Sequence, residues 1–317
     1  MREVGLSFQR HGVSRYVTRM SSQTEDFAAS PRKLIAPLMR DAAFLADFAR
    51  PLADDELRVW WLGQSGFLVK HGAHTLLLDP YLSDSLTAKY AHTGKPHVRM
   101  TGRVIAPEML AGHIHVVTSS HNHTDHLDAE TLKPLLESST PAALIIPEAN
   151  RRFVCQRLGI EETRPIGLDD GTRASAEGFE FHGIAAAHDT IDRDANGNCH
   201  YLGYIIRTGG WTLYHSGDTL PYPGLVEKLR AFPIDVAFLP INGRKPDRRV
   251  AGNLDGREAA QLAHDIGARC VVPCHYDMFE FNTAPPDEFI AECARLAQPH
   301  RVMHAGEGWS PPPLRSK

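Results

Sequence analysis

Residues 119–128 of this chain hold three histidines and an aspartate within six positions: His121, His123, Asp125 and His126. His121 and His123 are two residues apart, so in an extended loop their side chains point the same way and can share one metal ion. Asp125 and His126 are adjacent and diverge, which suits a second ion close to the first. These ligand types suit zinc, manganese or iron, and the absence of cysteine argues against a closed structural zinc site. The alternative is a polar surface loop, but four ligand-type residues rarely fall at this spacing by accident.

The apolar run Ile114–Thr118 stands directly before this segment and predicts a buried strand. The histidines would then follow the C-terminal end of a strand, where α/β proteins usually place their chemistry. Further β-prone runs lie at 57–62, 67–70, 75–79, 143–146, 201–207, 211–214, 235–241 and 269–273. Helical patterns lie at 129–136, 151–158, 256–266 and 289–296. Strands and helices that alternate along the chain indicate an α/β protein.

The His-x-His-x-Asp-His pattern and three further stretches resemble the metallo-β-lactamase superfamily. The stretches are Trp60–Gly66, Leu213–Thr219 and Val272–Phe279, and together with the pattern they span about residues 57–290 in the order of that family. Within the superfamily the chain is most similar to the L-ascorbate-6-phosphate lactonase (UlaG-like) group. The resemblance implies an α/β fold, the four-layer αββα sandwich.

The resemblance also implies two divalent metal ions per chain, zinc or manganese, with iron as a further candidate. The ligands that it implies are His121, His123 and His188 for one ion, Asp125, His126 and His275 for the other, and Asp218 shared between the two. His182 is the rival of His188 but falls in the middle of the strand predicted in the segment 178–189, which leads into His188. Asp79 would support the metal-binding loop, although a turn cap before Pro80 is a close alternative.

A site of this kind activates water for hydrolysis. The expected enzyme is a lactonase-like metal-dependent hydrolase of a small substrate, for which a phosphorylated molecule is one candidate. The expected catalytic residues are Asp125 and Asp218. The alternative is a phosphodiesterase of the N-acyl-phosphatidylethanolamine phospholipase D or tRNA-processing kind. A non-catalytic metal-binding protein is the third hypothesis, and a full ligand set argues against it. A di-iron oxygenase would carry glutamate in place of His123.

The charged residues nearly balance, with 34 Lys+Arg against 38 Asp+Glu and a net charge of −4. So small a bias does not favour nucleic acid as a partner. The five scattered cysteines show no C-x-x-C spacing, and no apolar run reaches membrane-spanning length. We therefore expect a cytoplasmic protein that binds a small, anionic molecule and not a membrane, with a homo-oligomer left open.

The domain division predicted from the sequence is an N-terminal extension with a helix at 1–55, followed by one catalytic domain at 56–317. Residues 1 to about 30 are polar, without a clear period, and we expect poor order there. Ser30 and Pro31 form a helix start signal before an apolar pattern that extends to Phe48. Pro37 should kink or break that helix.

Two segments are candidates for substrate binding. The loop 244–253 holds Arg244, Arg248, Arg249 and Asn253, and in the UlaG-like group the corresponding loop lies beside the metal cleft. Arginine can grip a phosphate or carboxylate with two hydrogen bonds. A solvated charged loop is the alternative. The predicted loop 83–107 contributes His92, Lys95, His97, Arg99 and Arg103 as further candidates, with the same alternative.

Overall fold

The computed structural model describes residues 33–245 and 252–314. Its strands are β1 Leu57–Gly63, β2 Gly66–His71, β3 His74–Leu78, β4 Val116–Thr118, β5 Ala143–Pro147, β6 Ile166–Leu168, β7 Arg173–Ala176, β8 Phe179–Ala185, β9 Leu202–Thr208, β10 Trp211–His215, β11 Val236–Pro240, β12 Cys270–Cys274 and β13 Gly308–Trp309. Its helices are α1 Asp41–Ala49, α2 Ser85–Tyr90, α3 Pro107–Leu110, α4 Ala129–Leu136, α5 Arg151–Leu158, α6 Leu225–Arg230, α7 Gly256–Asp265 and α8 Asp287–Leu296, with a 3-10 turn at Glu148–Asn150.

The strands form two mixed sheets. One has the order β13-β1-β2-β3-β4-β5-β6, and the other has the order β12-β11-β10-β9-β8-β7. Their inner faces pack together, as in the contact of Phe67 on β2 with Phe238 on β11, whose ring centroids are 4.3 Å apart. The predicted four-layer αββα fold is confirmed.

The direction of the strands explains where the chemistry lies. In the first sheet β1 and β3 run in the same direction as β4, because β2 is antiparallel to both of its neighbours and β3 is parallel to β4. In the second sheet β8, β10, β11 and β12 share one direction by the same reasoning. Segments that follow strands of common direction emerge at the same edge of a sheet, so residues far apart in the chain can meet there.

The helix predicted from Ser30 and Pro31 is wrong in its start, which in the structure is Asp41. Residues 30 and 31 lie outside the described residues. The segment before α1 bonds elsewhere, because Ile35 N donates to Met100 O and Leu38 N donates to Ala305 O. Long-range backbone hydrogen bonds therefore replace the helical ones that the apolar spacing predicted.

The predicted loop 83–107 was also only partly right. It contains the short helix α2, which begins at Ser85, and Ser85 N donates a hydrogen bond to Ser83 Oγ just before the helix, at 3.1 Å. Leu86 on this helix is buried beside Tyr81, whose hydroxyl accepts from Leu86 N at 3.0 Å. A single apolar anchor in a six-residue helix leaves too little periodicity to detect.

Within the part of the chain that the structure describes, no helix combines the length and the apolar character that spanning a membrane requires.

Candidate metal centre

The loop after β4 is shaped by its own backbone. His126 N and Leu127 N both donate to His123 O, at 3.0 and 2.8 Å, and so fold residues 123–127 into one tight turn. Asp128 then caps α4 by accepting from Thr131 N. The loop as a whole carries His121, His123, Asp125 and His126 at the C-terminal edge of the first sheet.

The second sheet brings three more candidate ligands to the same place. His188 follows β8, Asp218 follows β10 and His275 follows β12, three strands that run in one direction. Their ligand atoms join those of the loop in three groups, each with all ligand atoms within 4.8 Å of one another. The groups are His121, His123 and His188; His121, His126 and Asp218; and Asp125, His126 and His275. The first and third groups contain the residues that the family resemblance implies as ligands of the two ions.

Asp218 lies between these two groups. Its Oδ1 is 3.3 Å from His126 Nε2, and its Oδ2 is 3.4 Å from His275 Nε2 and 3.7 Å from His188 Nε2. The chain approaches closely here because Gly217 has a φ of 58° and an added Cβ would stand 2.7 Å from Ser120 Cβ. A glycine is therefore required directly before this aspartate.

Hydrogen bonds turn the histidine rings toward the centre of the cluster. His126 Nδ1 is 2.7 Å from Asp79 Oδ2, and His188 Nδ1 is 3.0 Å from Gly252 O. When Nδ1–H donates to an oxygen, the ring is held in the tautomer whose Nε2 lone pair is free to bind a metal. Asp79 is therefore placed as the sequence predicts, as a support for the loop.

The donor atoms in the cluster fit a bound cation. Among the described residues, His121 Nε2, His126 Nε2 and Asp218 Oδ1 are buried and make no well-aligned hydrogen bond, although the last two atoms are 3.3 Å apart. A buried polar atom without a partner costs about 1–3 kcal/mol. Nitrogen and oxygen lone pairs that converge in this way are the ligand set of zinc, manganese or iron.

The backbone beside the cluster is strained. Gln64, Asp79 and His275 have φ values of 50°, 37° and 64°, in the left-handed region that non-glycine residues rarely adopt. Each such residue costs on the order of 1 kcal/mol and persists only where the surroundings impose it. Strain of this kind is common where side chains must point into a functional site.

The two carboxylates of the cluster are ionised at neutral pH. Burial alone would raise the pKa of Asp218, but the charges of His126 and His275 outweigh burial and hold the pKa well below its usual range. Burial would likewise raise the pKa of Asp125, and His126 and His275 again hold that pKa well below the usual value. Ionised carboxylates are the form that binds a cation.

The pKa values of the histidines depend on these carboxylates and on burial. Burial alone would lower the pKa of His275, but Asp218 and Asp125 raise it to about 9. The same two carboxylates outweigh burial at His126 and raise its pKa well above the usual value. At His121 burial prevails and the pKa is well below the usual value.

These shifts predict that cation binding releases protons. In protein stripped of metal by a chelator, we expect His275 to hold a proton up to about pH 9. That proton stabilises the stripped fold fully below the unfolded pKa of about 6.5 and stops doing so as the pH rises through 9. A cation must displace it, so affinity should rise with pH up to that value.

Calorimetric titration with Zn²⁺ at pH 7, in buffers of different ionisation enthalpy, measures this release. We expect at least one proton per chain at pH 7 and fewer above pH 9. Binding that releases none at pH 7 would contradict the placement of His275 at a cation.

A cleft of about 430 Å³ opens above the cluster and is lined by His123, Asp125, His188, Asp218 and His275. One wall is aromatic: His97 stacks on Tyr90 at 4.3 Å between centroids and meets the edge of Phe281 at 4.5 Å. Lys89, Lys95 and Arg157 also line the cleft. The cleft therefore joins the candidate metal ligands to an aromatic surface and three cationic side chains.

The structure places the predicted substrate-binding residues in different surroundings. Asn253 lines the cleft and is 1% exposed. Arg244 is not among the lining residues, and its guanidinium makes two hydrogen bonds to Glu258, at 2.6 and 2.8 Å. Arg248 and Arg249 lie outside the described residues. Of the candidates in 83–107, Lys95 and His97 line the cleft, whereas buried Arg99 donates to Thr101 O and Ser83 O.

Sequence reasoning missed several residues at the cleft. Lys89 and Tyr90 are on the undetected helix α2. Arg157 is on α5 and donates to Asn122 O and Leu127 O in the metal-binding loop, at 2.8 and 3.1 Å. Gln64, in the turn after β1, reaches the cluster itself. The Gly63-Gln64-Ser65-Gly66 turn was visible in the sequence, but no local feature indicated where the Gln64 side chain points.

Comparison with known proteins shows which family this chain resembles. The family described as the beta-lactamase superfamily domain matches residues 74–276. A UPF0173 metal-dependent hydrolase of Thermococcus kodakarensis is 30% identical over 235 residues, which cover 74% of this chain and 90% of the relative. One of Myxococcus xanthus is 26% identical over 252 residues, which cover 77% of this chain and 79% of the relative.

Solved structures show the same fold. The metallo hydrolase Igni18 of Ignicoccus hospitalis has a TM-score of 0.58 at 24% identity, with 80% of this chain and 98% of that chain covered. A structure described as a possible metal-dependent hydrolase, from Veillonella parvula, has a TM-score of 0.63 at 13% identity, with 81% and 99% covered.

Proposed function

Because the chain belongs to the beta-lactamase superfamily and is a metal-dependent hydrolase, we propose that it uses two divalent cations to hydrolyse a small anionic lactone. One cation would be held by His121, His123 and His188, the other by Asp125, His126 and His275, and Asp218 would bind both. The observation that supports this most is the convergence of buried, unpartnered His and Asp atoms at the floor of a cleft. The UlaG-like stretches of the sequence support the lactone.

Divalent cations in such a site lower the pKa of water and polarise a substrate oxygen. In a lactone, water then adds to the ring carbonyl carbon, and the bond from that carbon to the ring oxygen breaks. The attacking water loses a proton and the departing oxygen needs one. Asp125 borders the cleft and is ionised, so we assign to it the transfer of this proton.

The walls of the cleft support an anionic substrate. Arg157 is half-buried, and its two hydrogen bonds to the loop are made to neutral carbonyl groups. Lys89 and Lys95 line the same cleft. A cation at a partly desolvated cleft attracts phosphate or carboxylate strongly. The aromatic wall would contact an apolar part of the substrate.

The alternative is a phosphodiesterase. The positively charged side chains of Lys89, Lys95 and Arg157 favour it as well, since they would also suit a phosphodiester. The test is metal analysis of the purified protein followed by a panel of phosphorylated lactones, neutral lactones and phosphodiesters. We expect two cations per chain and turnover of anionic lactones. Turnover of phosphodiesters with every lactone unchanged would replace the lactonase proposal by the alternative.

Substitutions in the loop 244–253 are expected to raise KM for anionic substrates selectively. Its described end returns to the site, because Asn253 lines the cleft and Gly252 O accepts from His188 Nδ1. We expect Arg248→Ala combined with Arg249→Ala to raise KM for an anionic substrate by roughly tenfold or more, since a charge-assisted hydrogen bond is worth about 1.5–3 kcal/mol. Steady-state kinetics with an uncharged analogue of the substrate provide the control. Equal losses on both substrates, or none on either, would exclude this loop as the anion-binding element.

A further inference from the structure

Gln64 is the one side chain from the turn between β1 and β2 that reaches the cluster in the described structure. It is 0% exposed. Its Nε2 is 2.7 Å from Asp125 Oδ2 and 3.0 Å from His275 Nε2, atoms of two of the four side chains proposed to hold the second cation. The amide therefore lies among the ligands of that cation, and the sequence pattern of the metal-binding loop does not include it.

The other atom of the amide is not satisfied. Gln64 Oε1 is buried without a hydrogen-bond partner. A carboxamide has nearly the same shape after a half-turn about its last bond, which exchanges Nε2 and Oε1. A cation bound to Asp125 and His275 would repel the N–H groups that now face those atoms and attract the oxygen.

The distances agree with an oxygen ligand at this position. Two ligands bonded at about 2.1 Å and separated by 90–109° are about 3.0–3.4 Å apart. His275 Nε2 is 3.5 Å from Asp125 Oδ2 and 3.4 Å from Asp218 Oδ2. The amide's 3.0 Å contact with His275 Nε2 is at the short end of this range, and its 2.7 Å contact with Asp125 Oδ2 is shorter, as expected of a hydrogen bond made without a cation between the two groups.

The turn is held in place for this role. Gln64 O accepts from Trp61 Nε1 at 3.1 Å and from His275 N at 2.9 Å. Trp61 in turn stacks on Tyr276, with centroids 4.3 Å apart. The backbone of Gln64 is thus tied directly to the residue that its side chain faces, which accounts for its φ of 50°. Such fixed geometry lowers the entropy cost of binding a ligand.

We propose that Gln64 is a ligand of the second cation through Oε1, a role beyond the seven side chains already assigned. This inference rests on the proposed function, because it requires that a second cation binds. Gln64 would complete that site with a neutral oxygen, which adds a ligand without adding charge.

The experiment is titration of chelator-stripped protein with Co²⁺, followed by calorimetry and by visible absorption. Gln64→Leu has a similar shape and no donor or acceptor, and it leaves little room for a replacement water. We expect it to weaken the second binding event by about tenfold or more, equal to about 1.4 kcal/mol. The Co²⁺ absorption of that site should also strengthen, because these bands intensify as the coordination number falls. Gln64→Glu, which keeps an oxygen in place, should bind at least as tightly as wild type.

Gln261→Leu is the matched control, since Gln261 Nε2 also donates to an aspartate, Asp265 Oδ1, at 2.9 Å on helix α7. It should leave both binding events unchanged. If Gln64→Leu binds the second Co²⁺ as tightly as wild type, or more weakly but with an unchanged spectrum, Gln64 is not a ligand. Both results would leave the proposed function intact, whereas a wild-type protein that binds only one cation would overturn the two together.

Discussion

Asp218→Ala is expected to abolish hydrolysis while the chain stays folded. The carboxylate is 3% exposed and lies 3.3–3.7 Å from His126, His188 and His275, so both proposed cations lose a ligand at once. Loss of a ligand common to both cations should weaken their binding by more than the roughly 10–100-fold that loss of a partner behind a metal ligand typically costs. The fold should survive because Asp218 lies in the loop after β10, and its side chain contacts the cluster rather than the core.

The measurement is turnover at saturating cation, together with cation stoichiometry and circular dichroism. Asp265→Ala on α7 is the matched control, and it should retain wild-type turnover. Near wild-type turnover in Asp218→Ala, with both cations bound, would show that the attacking water is not held beside this carboxylate.

Asp79→Ala is expected to reduce both the stability of the protein and its affinity for cations. Asp79 is 0% exposed and accepts from Ser120 N at 3.0 Å, from Thr118 Oγ1 at 2.9 Å, from His126 Nδ1 at 2.7 Å and from Ser120 Oγ. Alanine removes the acceptor of all four donors. At about 1 kcal/mol for each donor, the lower end of the cost of a buried unpaired group, we expect the free energy of unfolding to fall by about 4 kcal/mol.

The same substitution frees the His126 ring to turn and to change tautomer. Loss of a partner behind a metal-bound histidine typically costs about 10–100-fold in metal affinity, and we expect that range here. Urea unfolding in the presence of a chelator measures the first effect, and cation titration measures the second.

Asp235→Ala separates the two effects. Asp235 is also a buried aspartate, and it accepts hydrogen bonds from Thr212 N at 2.9 Å and from the Arg269 guanidinium at 2.8 Å. It belongs to neither the cluster nor the cleft lining. It should lower stability and leave cation affinity unchanged. Equal cation affinities in Asp79→Ala and wild type would mean that Asp79 supports only the fold.

The metal-binding loop could be recognised from sequence because its chemistry is contiguous. His121, His123, Asp125 and His126 fall within six positions after an apolar run, and short-range geometry is enough to bring such residues together. The β-prone runs around them are also local features, and most predicted strands correspond to observed ones. The family resemblance supplied the remaining candidates, and the structure places their side chains beside the loop.

Short or irregular elements could not be predicted in the same way. The apolar spacing before Phe48 favours a helix from the first turn, yet the backbone of Ile35 and Leu38 bonds to residues 100 and 305. Helix α2 has six residues and one buried anchor, so its pattern was too weak to detect. In the segment before α1, tertiary contacts overrode a local preference for helix. In α2, tertiary contacts hold a helix that the local sequence only weakly favours.

The sequence identifies which residue types can bind a cation, because ligand chemistry is a property of single side chains and of their neighbours in the chain. Tertiary structure determines which distant residues come close enough to share a cation. Gln64, His188, Asp218 and His275 meet because each follows a strand of common direction within its sheet, and the two sheets pack face to face. The orientation of Gln64 also depends on Trp61 and on the backbone of His275, 211 residues further along the chain. No local pattern carries that information, since only packing of the sheets brings these atoms within bonding distance.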